Sequence, residues 1–236
     1  PQQYINIETV PFRATNTAVL DPQPLQDHVN DPESVSDGYP SMAQLPGGQN
    51  GAAFLRSRQS GLTYQTNVFF GLLDSRGQLS ADPVNLTQNE DWQPINRYRN
   101  PTVVVTGDNR FVVAWEKVTP NGPEDQFKDI EIAVLNESGQ ITYGPTTITN
   151  SQALARDYSN PSLAYLSSNR VAVSFFMQPD AGLVQVGYAL RQTSGAAIGS
   201  LSEIPGYSSS ETGNLVAAPL ASGNWLAAWV NTTGEN

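Results

Sequence analysis

Cysteine is absent from the 236-residue chain, which removes disulfides, thiolate nucleophiles and cysteine-ligated zinc together. Histidine is nearly absent as well: His28 stands alone, on a stretch rich in proline and aspartate. A Ser-His-Asp triad would depend on that one residue, and a lone histidine on a polar loop reads as surface. Charge is sparse, at 14% of residues, with 12 Lys and Arg against 22 Asp and Glu. A net charge of −10 offers no basic patch for nucleic acid and repels anionic membrane surfaces. The densest basic group, Arg97, Arg99 and nearby Arg110, is small and reads as charges of a loop or a ligand rim. No apolar run reaches the ~18 residues of a membrane helix, so no membrane insertion is expected. An initiator methionine and a signal peptide are missing too, which fits a mature product or a fragment.

What the chain does have is a recurring pattern. Asn100-Pro101-Thr102-Val103-Val104-Val105 leads through a turn at Thr106-Gly107-Asp108-Asn109 to Phe111-Val112-Val113-Ala114-Trp115. The same order appears from Pro40 to Phe54, from Pro161 to Phe175 and from Val216 to Trp229. Spacings between the matched aromatics Phe54, Trp115, Phe175 and Trp229 are 61, 60 and 54 residues. Such a period marks a repeat architecture, and the four aromatics are the expected core position of each repeat.

A third run follows each time, as in Ile130-Glu131-Ile132-Ala133-Val134-Leu135, and ends in a polar turn closed by glycine: Gly77, Gly139 or Gly195. Glycine tolerates the left-handed backbone that such turns need. A weaker fourth run comes next, as in Thr146-Thr147-Ile148-Thr149. Each unit is thus about four short antiparallel strands, the composition of a propeller blade. Residues 111–115 and 171–176 are apolar on both faces, which a strand with one wet face would not be. A blade covered on both sides by its neighbours needs that pattern; a β-sandwich is the competing architecture. Before each aromatic stands a small residue, Ala53, Ala114, Ser174 or Ala228, which lets successive sheets approach to about 10 Å.

The expected fold is therefore an all-β β-propeller of four-stranded antiparallel blades, about 55–60 residues per repeat, incomplete in this chain. Residues 1–36 are expected to form an N-terminal strand and a crossing loop. Blades follow at 37–91, 92–156 and 157–211, with a partial fourth at 212–236. The alternating stretch from Tyr4 to Val10 is a candidate to complete the last blade in part. Another polypeptide, or further C-terminal blades, is the expected partner that closes the ring.

Chemistry-bearing residues are few. The loop after Trp115 concentrates Glu124, Asp125 and Asp129, with Glu131 behind. Clustered oxygen ligands suit Ca²⁺, but Lys117 and Lys128 stand among the acids and no Asp-x-Asp-x-Asp-Gly pattern is present. A solvated loop is the competing reading, and no cofactor is otherwise expected. Glu116 is the one catalytic candidate: glycosidases need only carboxylates, and its counterparts Leu55, Phe176 and Val230 are apolar. Its bland reading is a strand-end surface residue. Asn85, Asn136 and Asn231 each begin an N-glycosylation sequon.

The run Phe111-Val112-Val113-Ala114-Trp115-Glu116, then Asp129 to Gly139, then Asn160-Pro161-Ser162-Leu163-Ala164, resembles the repeats of large secreted or surface-bound bacterial proteins, of adhesin or exoprotein type. The resemblance covers residues 37–236 and implies an extracellular propeller without a defined activity. The function expected is an extracellular or cell-surface binding or assembly module, taking a protein or glycan ligand or serving as a structural subunit, without catalysis. The alternative is a propeller-fold carbohydrate-active enzyme using carboxylates.

Overall fold

The computed structural model describes residues 8–9, 23–24, 34–60, 63–88, 97–120, 126–179, 182–204 and 214–229. His28, Glu124, Asp125 and Asn231 lie outside them. Two short strands come first, β1 (Glu8–Thr9) and β2 (Gln23–Pro24), paired with each other. The first blade holds β3 (Ser34–Gln44), β4 (Asn50–Ser60), β5 (Thr63–Leu73) and β6 (Val84–Asn85). The second holds β7 (Arg97–Val105), β8 (Phe111–Pro120), β9 (Gln126–Leu135) and β10 (Ile141–Thr147). After α1 (Ser151–Leu154) the third blade holds β11 (Arg156–Leu166), β12 (Arg170–Pro179), β13 (Gln185–Gln192) and β14 (Ala197–Glu203). A fourth sheet pairs β15 (Leu215–Pro219) with β16 (Trp225–Trp229).

This is a β-propeller of antiparallel blades, three of them four-stranded meanders in chain order. Helix is confined, among the described residues, to the single turn of α1. The first strands β3, β7, β11 and β15 pack against one another in succession, so they line the axis and later strands lie outward. The sheets are open rather than closed into a ring among the described residues.

Strand β8 explains why both faces are apolar. Phe111, Val113 and Trp115 point into a core shared with Ala53, Leu55, Val68 and Phe70 of the first blade. Val112 and Ala114 point the other way, into a core shared with Val171, Val173 and Phe175 of the third. Side chains alternate across a strand, so a blade between two others buries every position. Phe54, Trp115 and Phe175 are fully buried, and each faces the preceding side while Ala53 and Ala114 face the following blade. Trp229 packs with Phe176 and Val186 of the third blade. On the other side of its sheet Val216 and Leu226 are exposed.

Two details depart from the sequence reading. Strand β3 starts at Ser34, ahead of residue 37, because residues 34–38 already pair with β4. Of the Tyr4–Val10 stretch, the described Glu8 and Thr9 pair with Pro24 and Gln23 rather than with the fourth sheet, and β16 has only β15 beside it among the described residues. A short partner nearby in sequence is cheaper to reach than a ring closure across the whole chain.

Candidate functional site

The described molecule has two unlike faces. On one, tight turns join first to second and third to fourth strands, and Gly77, Gly139 and Gly195 adopt φ of 82°, 75° and 92° there. The other carries the connections from second to third strands and from one blade to the next. Functional variation in repeat folds concentrates on such connections.

On that second face each first strand of the three full blades is interrupted. The register shifts at Tyr39-Pro40, Asn100-Pro101 and Asn160-Pro161. Proline has no N–H to give the ladder, so a bulge suits it. The residue before it turns left-handed: φ is 54° at Tyr39, 49° at Asn100 and 50° at Asn160. Asparagine tolerates that conformation, whereas a bulky side chain there costs of order 1–3 kcal/mol. Strained residues of this kind gather at ligand clamps, and the Tyr39 ring is 70% exposed. A serine after the proline stitches the first and third bulges to the next blade: Val103 N–H donates to Ser41 Oγ at 3.1 Å, and Ala217 N–H to Ser162 Oγ at 2.8 Å.

Around the axis the bulges form a mouth. A cavity of about 340 Å³ is lined by Tyr39, Asn100, Asn160 and Asn214, with their following residues. A second, of about 480 Å³, adjoins it at Tyr39 and Asn100 and opens between the first two blades, lined also by Ser57, Thr66, Arg97 and Arg99. Thr66 of β5 ties the wall of the larger cavity to β7, donating through Oγ1 to the Tyr98 carbonyl at 2.9 Å and accepting Tyr98 N–H at 2.8 Å. Among the described residues neither cavity is lined by Asp or Glu.

Glu116 lies beneath this mouth, only 3% exposed. Its Oε1 accepts Asn100 Nδ2 and the Asn160 backbone N–H, each at 2.6 Å, while Asn100 Nδ2 also donates to Asn160 Oδ1 at 2.8 Å. The carboxylate therefore ties the second and third bulges together. It is neither a solvated strand end nor an acid lining the cavities.

The other sequence candidates fall elsewhere. Asp129 accepts Thr149 Oγ1 at 2.7 Å and Ser151 N–H at 2.8 Å through Oδ1, and Ser151 Oγ at 2.7 Å through Oδ2; it anchors α1. Glu131 accepts Trp115 Nε1 at 3.0 Å and pairs with Lys117 at 3.0 Å. Among the described residues no three His, Asp or Glu gather as metal ligands. Asn85 Oδ1 accepts Thr87 Oγ1 at 2.7 Å, and Asn136 Oδ1 accepts Ser138 and Gln140 N–H at 3.0 and 2.9 Å; both amides organise their own turns. Nothing in the sequence reading singles out the bulge residues Tyr39, Asn100 and Asn160, or Asn214, as a site. The signal that marks two of them is the Asn-Pro pair recurring 60 residues apart.

No protein-family model and no curated protein matches the chain. Solved structures do share the fold. A protein of unknown function from Dyadobacter fermentans is 11% identical with a TM-score of 0.67, over 95% of this chain and 64% of that one. Hadza microbial sialidase Hz136 is 12% identical with a TM-score of 0.57, over 90% and 44%. A polysaccharide lyase of family PL25, an ulvan lyase, is 9% identical with a TM-score of 0.56, over 86% and 50%. The chain thus spans between 44% and 64% of these proteins' length. The adhesin type of resemblance finds no support in these likenesses. Among the described residues no helix is long and apolar enough to cross a membrane.

Proposed function

We propose that this chain belongs to a carbohydrate-active propeller protein, acting outside the cell, that holds its glycan at the axial mouth. One observation carries the reading: Tyr39, Asn100, Asn160 and Asn214 ring one cavity on the loop face, which adjoins a second at Tyr39 and Asn100. Amide groups supply donors and acceptors for sugar hydroxyls. An exposed tyrosine ring offers an apolar surface with a polar tip for the carbon face of a pyranose. A named sialidase and an ulvan lyase on the same fold add support.

The test is a panel of plant, algal and mucin oligosaccharides, followed by calorimetry and by release of reducing or unsaturated ends. At least one member is expected to bind, and Tyr39→Ala is expected to weaken it by about tenfold or more with the melting temperature unchanged. Failure of every member of the panel to bind or react would overturn the reading.

A second reading, glycan or protein binding without turnover, is favoured by Glu116. Its Oε1 already holds two bulges, and no carboxylate lines the cavities among the described residues. A hydrolase working through a carboxylate pair needs two of them on either side of the bond. Turnover abolished by Glu116→Gln in a folded protein supports the enzyme; binding with no product supports the module. Completion of the ring by further blades or another polypeptide is part of the same proposal, supported by the exposed Val216 and Leu226 on the fourth sheet.

A further inference from the structure

Four basic residues of this acidic chain are held in ion pairs. Arg56 pairs with Asp37 at 2.8 Å, Arg110 with Asp108 at 3.1 Å, Lys117 with Glu131 at 3.0 Å and Lys128 with Asp157 at 3.0 Å. Arg97 and Arg99 are exposed on β7 and, like Arg76, Arg156, Arg170 and Arg191, have no ion-pair partner among the described residues; what sets these two apart is their place at the cavity wall. Tyr98 between them is turned inward and 4% exposed, so the two arginines leave the same side of the strand. Their Cα atoms are about 7 Å apart, two residues of strand rise. Both line the larger cavity, which contains no carboxylate among its described walls.

We infer that the ligand of this mouth is an anionic glycan, bearing carboxylate or sulfate groups that Arg97 and Arg99 engage. The inference rests on the carbohydrate reading above and adds the class of sugar. A guanidinium presents paired donors that match a carboxylate or sulfate in two parallel hydrogen bonds. Asn100 and Tyr39 line the same cavity where it meets the axial one, and the exposed tyrosine is placed for the neutral parts of the chain. With a net charge of −10, the rest of the protein repels polyanions. Local positive potential in a cleft then selects where such a ligand lands.

The experiment compares an oligogalacturonate, a sulfated dextran oligomer and neutral oligosaccharides by calorimetry at several salt concentrations. One charged probe is expected to bind about tenfold or more tightly than any neutral one, and to weaken as salt rises. Which of the two binds tells carboxylate from sulfate. The double variant R97A/R99A should lose that preference while melting as the parent does, and Arg110→Ala, on the turn face, should keep it. Neutral sugars binding as tightly as charged ones would overturn this inference and leave the glycan site standing. So would charged binding that survives R97A/R99A. Absence of binding by every saccharide would overturn the carbohydrate reading and this inference with it.

Discussion

Glu116 of the second blade accepts the backbone N–H of Asn160 in the third, at 2.6 Å, through the same oxygen that holds Asn100. A buried carboxylate that receives charge-assisted hydrogen bonds is costly to remove, because the donors it satisfied stay buried. Glu116→Ala is expected to destabilise by about 2–3 kcal/mol, read as a lowered thermal midpoint. Glu116→Gln keeps an acceptor at Oε1 and should cost roughly 1 kcal/mol. An alanine variant as stable as the parent would mean that the bulges hold themselves in place.

The contact between the first two blades leaves no room at Gly51. A Cβ there would stand 2.5 Å from Phe70 Cζ and 2.7 Å from Phe111 Cε1, and those rings already meet at 4.9 Å. Gly51→Ala should therefore cost about 1–3 kcal/mol by overpacking. Gly47, in an exposed turn, has nothing within 4 Å of a built Cβ. Gly47→Ala should be neutral, or stabilising by up to about 1 kcal/mol through the unfolded chain. Denaturant unfolding of the two variants side by side reads the difference. Equal effects would contradict the packing described for this interface.

How much of this the sequence discloses depends on the range of the interaction. The doubly apolar strand of residues 111–115 reads correctly as a blade interior, because alternation is a local property and each neighbour covers one parity. The glycine-closed turns at 77, 139 and 195 are equally local. Glu116 is different. Standing out from apolar counterparts marks it as unusual, but its partners are Asn100, 16 residues earlier, and Asn160, 44 residues later, and no local period encodes that. Asp129 looks like one acid of a loop cluster, yet its oxygens are engaged by Thr149 and Ser151, across a strand and a turn. Arg97 and Arg99 are visible as a small basic group; that they line a cavity wall free of carboxylates among the described residues emerges only from the folded arrangement.

Asp108 links the second and third blades on the turn face, accepting Thr193 Oγ1 at 3.0 Å and Thr106 Oγ1 at 2.6 Å. Burial alone would raise its pKa. The hydrogen bonds from Thr106, Thr193 and its own backbone, with Arg110 nearby, outweigh that and hold it below the ordinary 3.8. A depressed folded pKa means stability that is present above the unfolded value and lost as pH falls through the folded one. The thermal midpoint of the parent should therefore exceed that of Asp108→Asn near neutrality, and the gap should close at pH below about 4. A gap that stays constant into strong acid would show that the charge is not the source of the stability.

Tyr158 places a full phenol in the core between the second and third blades, meeting Phe175 edge-on at 5.6 Å between centroids. Its hydroxyl is buried and has no hydrogen-bond partner among the described residues. Burial, with Arg156 opposing and Asp129 adding, pushes its pKa above the ordinary 10.0, so it stays a neutral group whose one polar atom is desolvated without return. Leaving such a group unsatisfied costs roughly 1–3 kcal/mol. Tyr158→Phe keeps the ring contact and removes the orphan oxygen, so the variant should be as stable as the parent or more so, by up to about 1 kcal/mol. Tyr158→Ala deletes the ring itself and should cost about 3–5 kcal/mol. The pair separates the two contributions in one set of melts. A phenylalanine variant that loses stability would reveal a partner for the hydroxyl, such as a buried water, and would reassign Tyr158 from packing residue to hydrogen-bonding one.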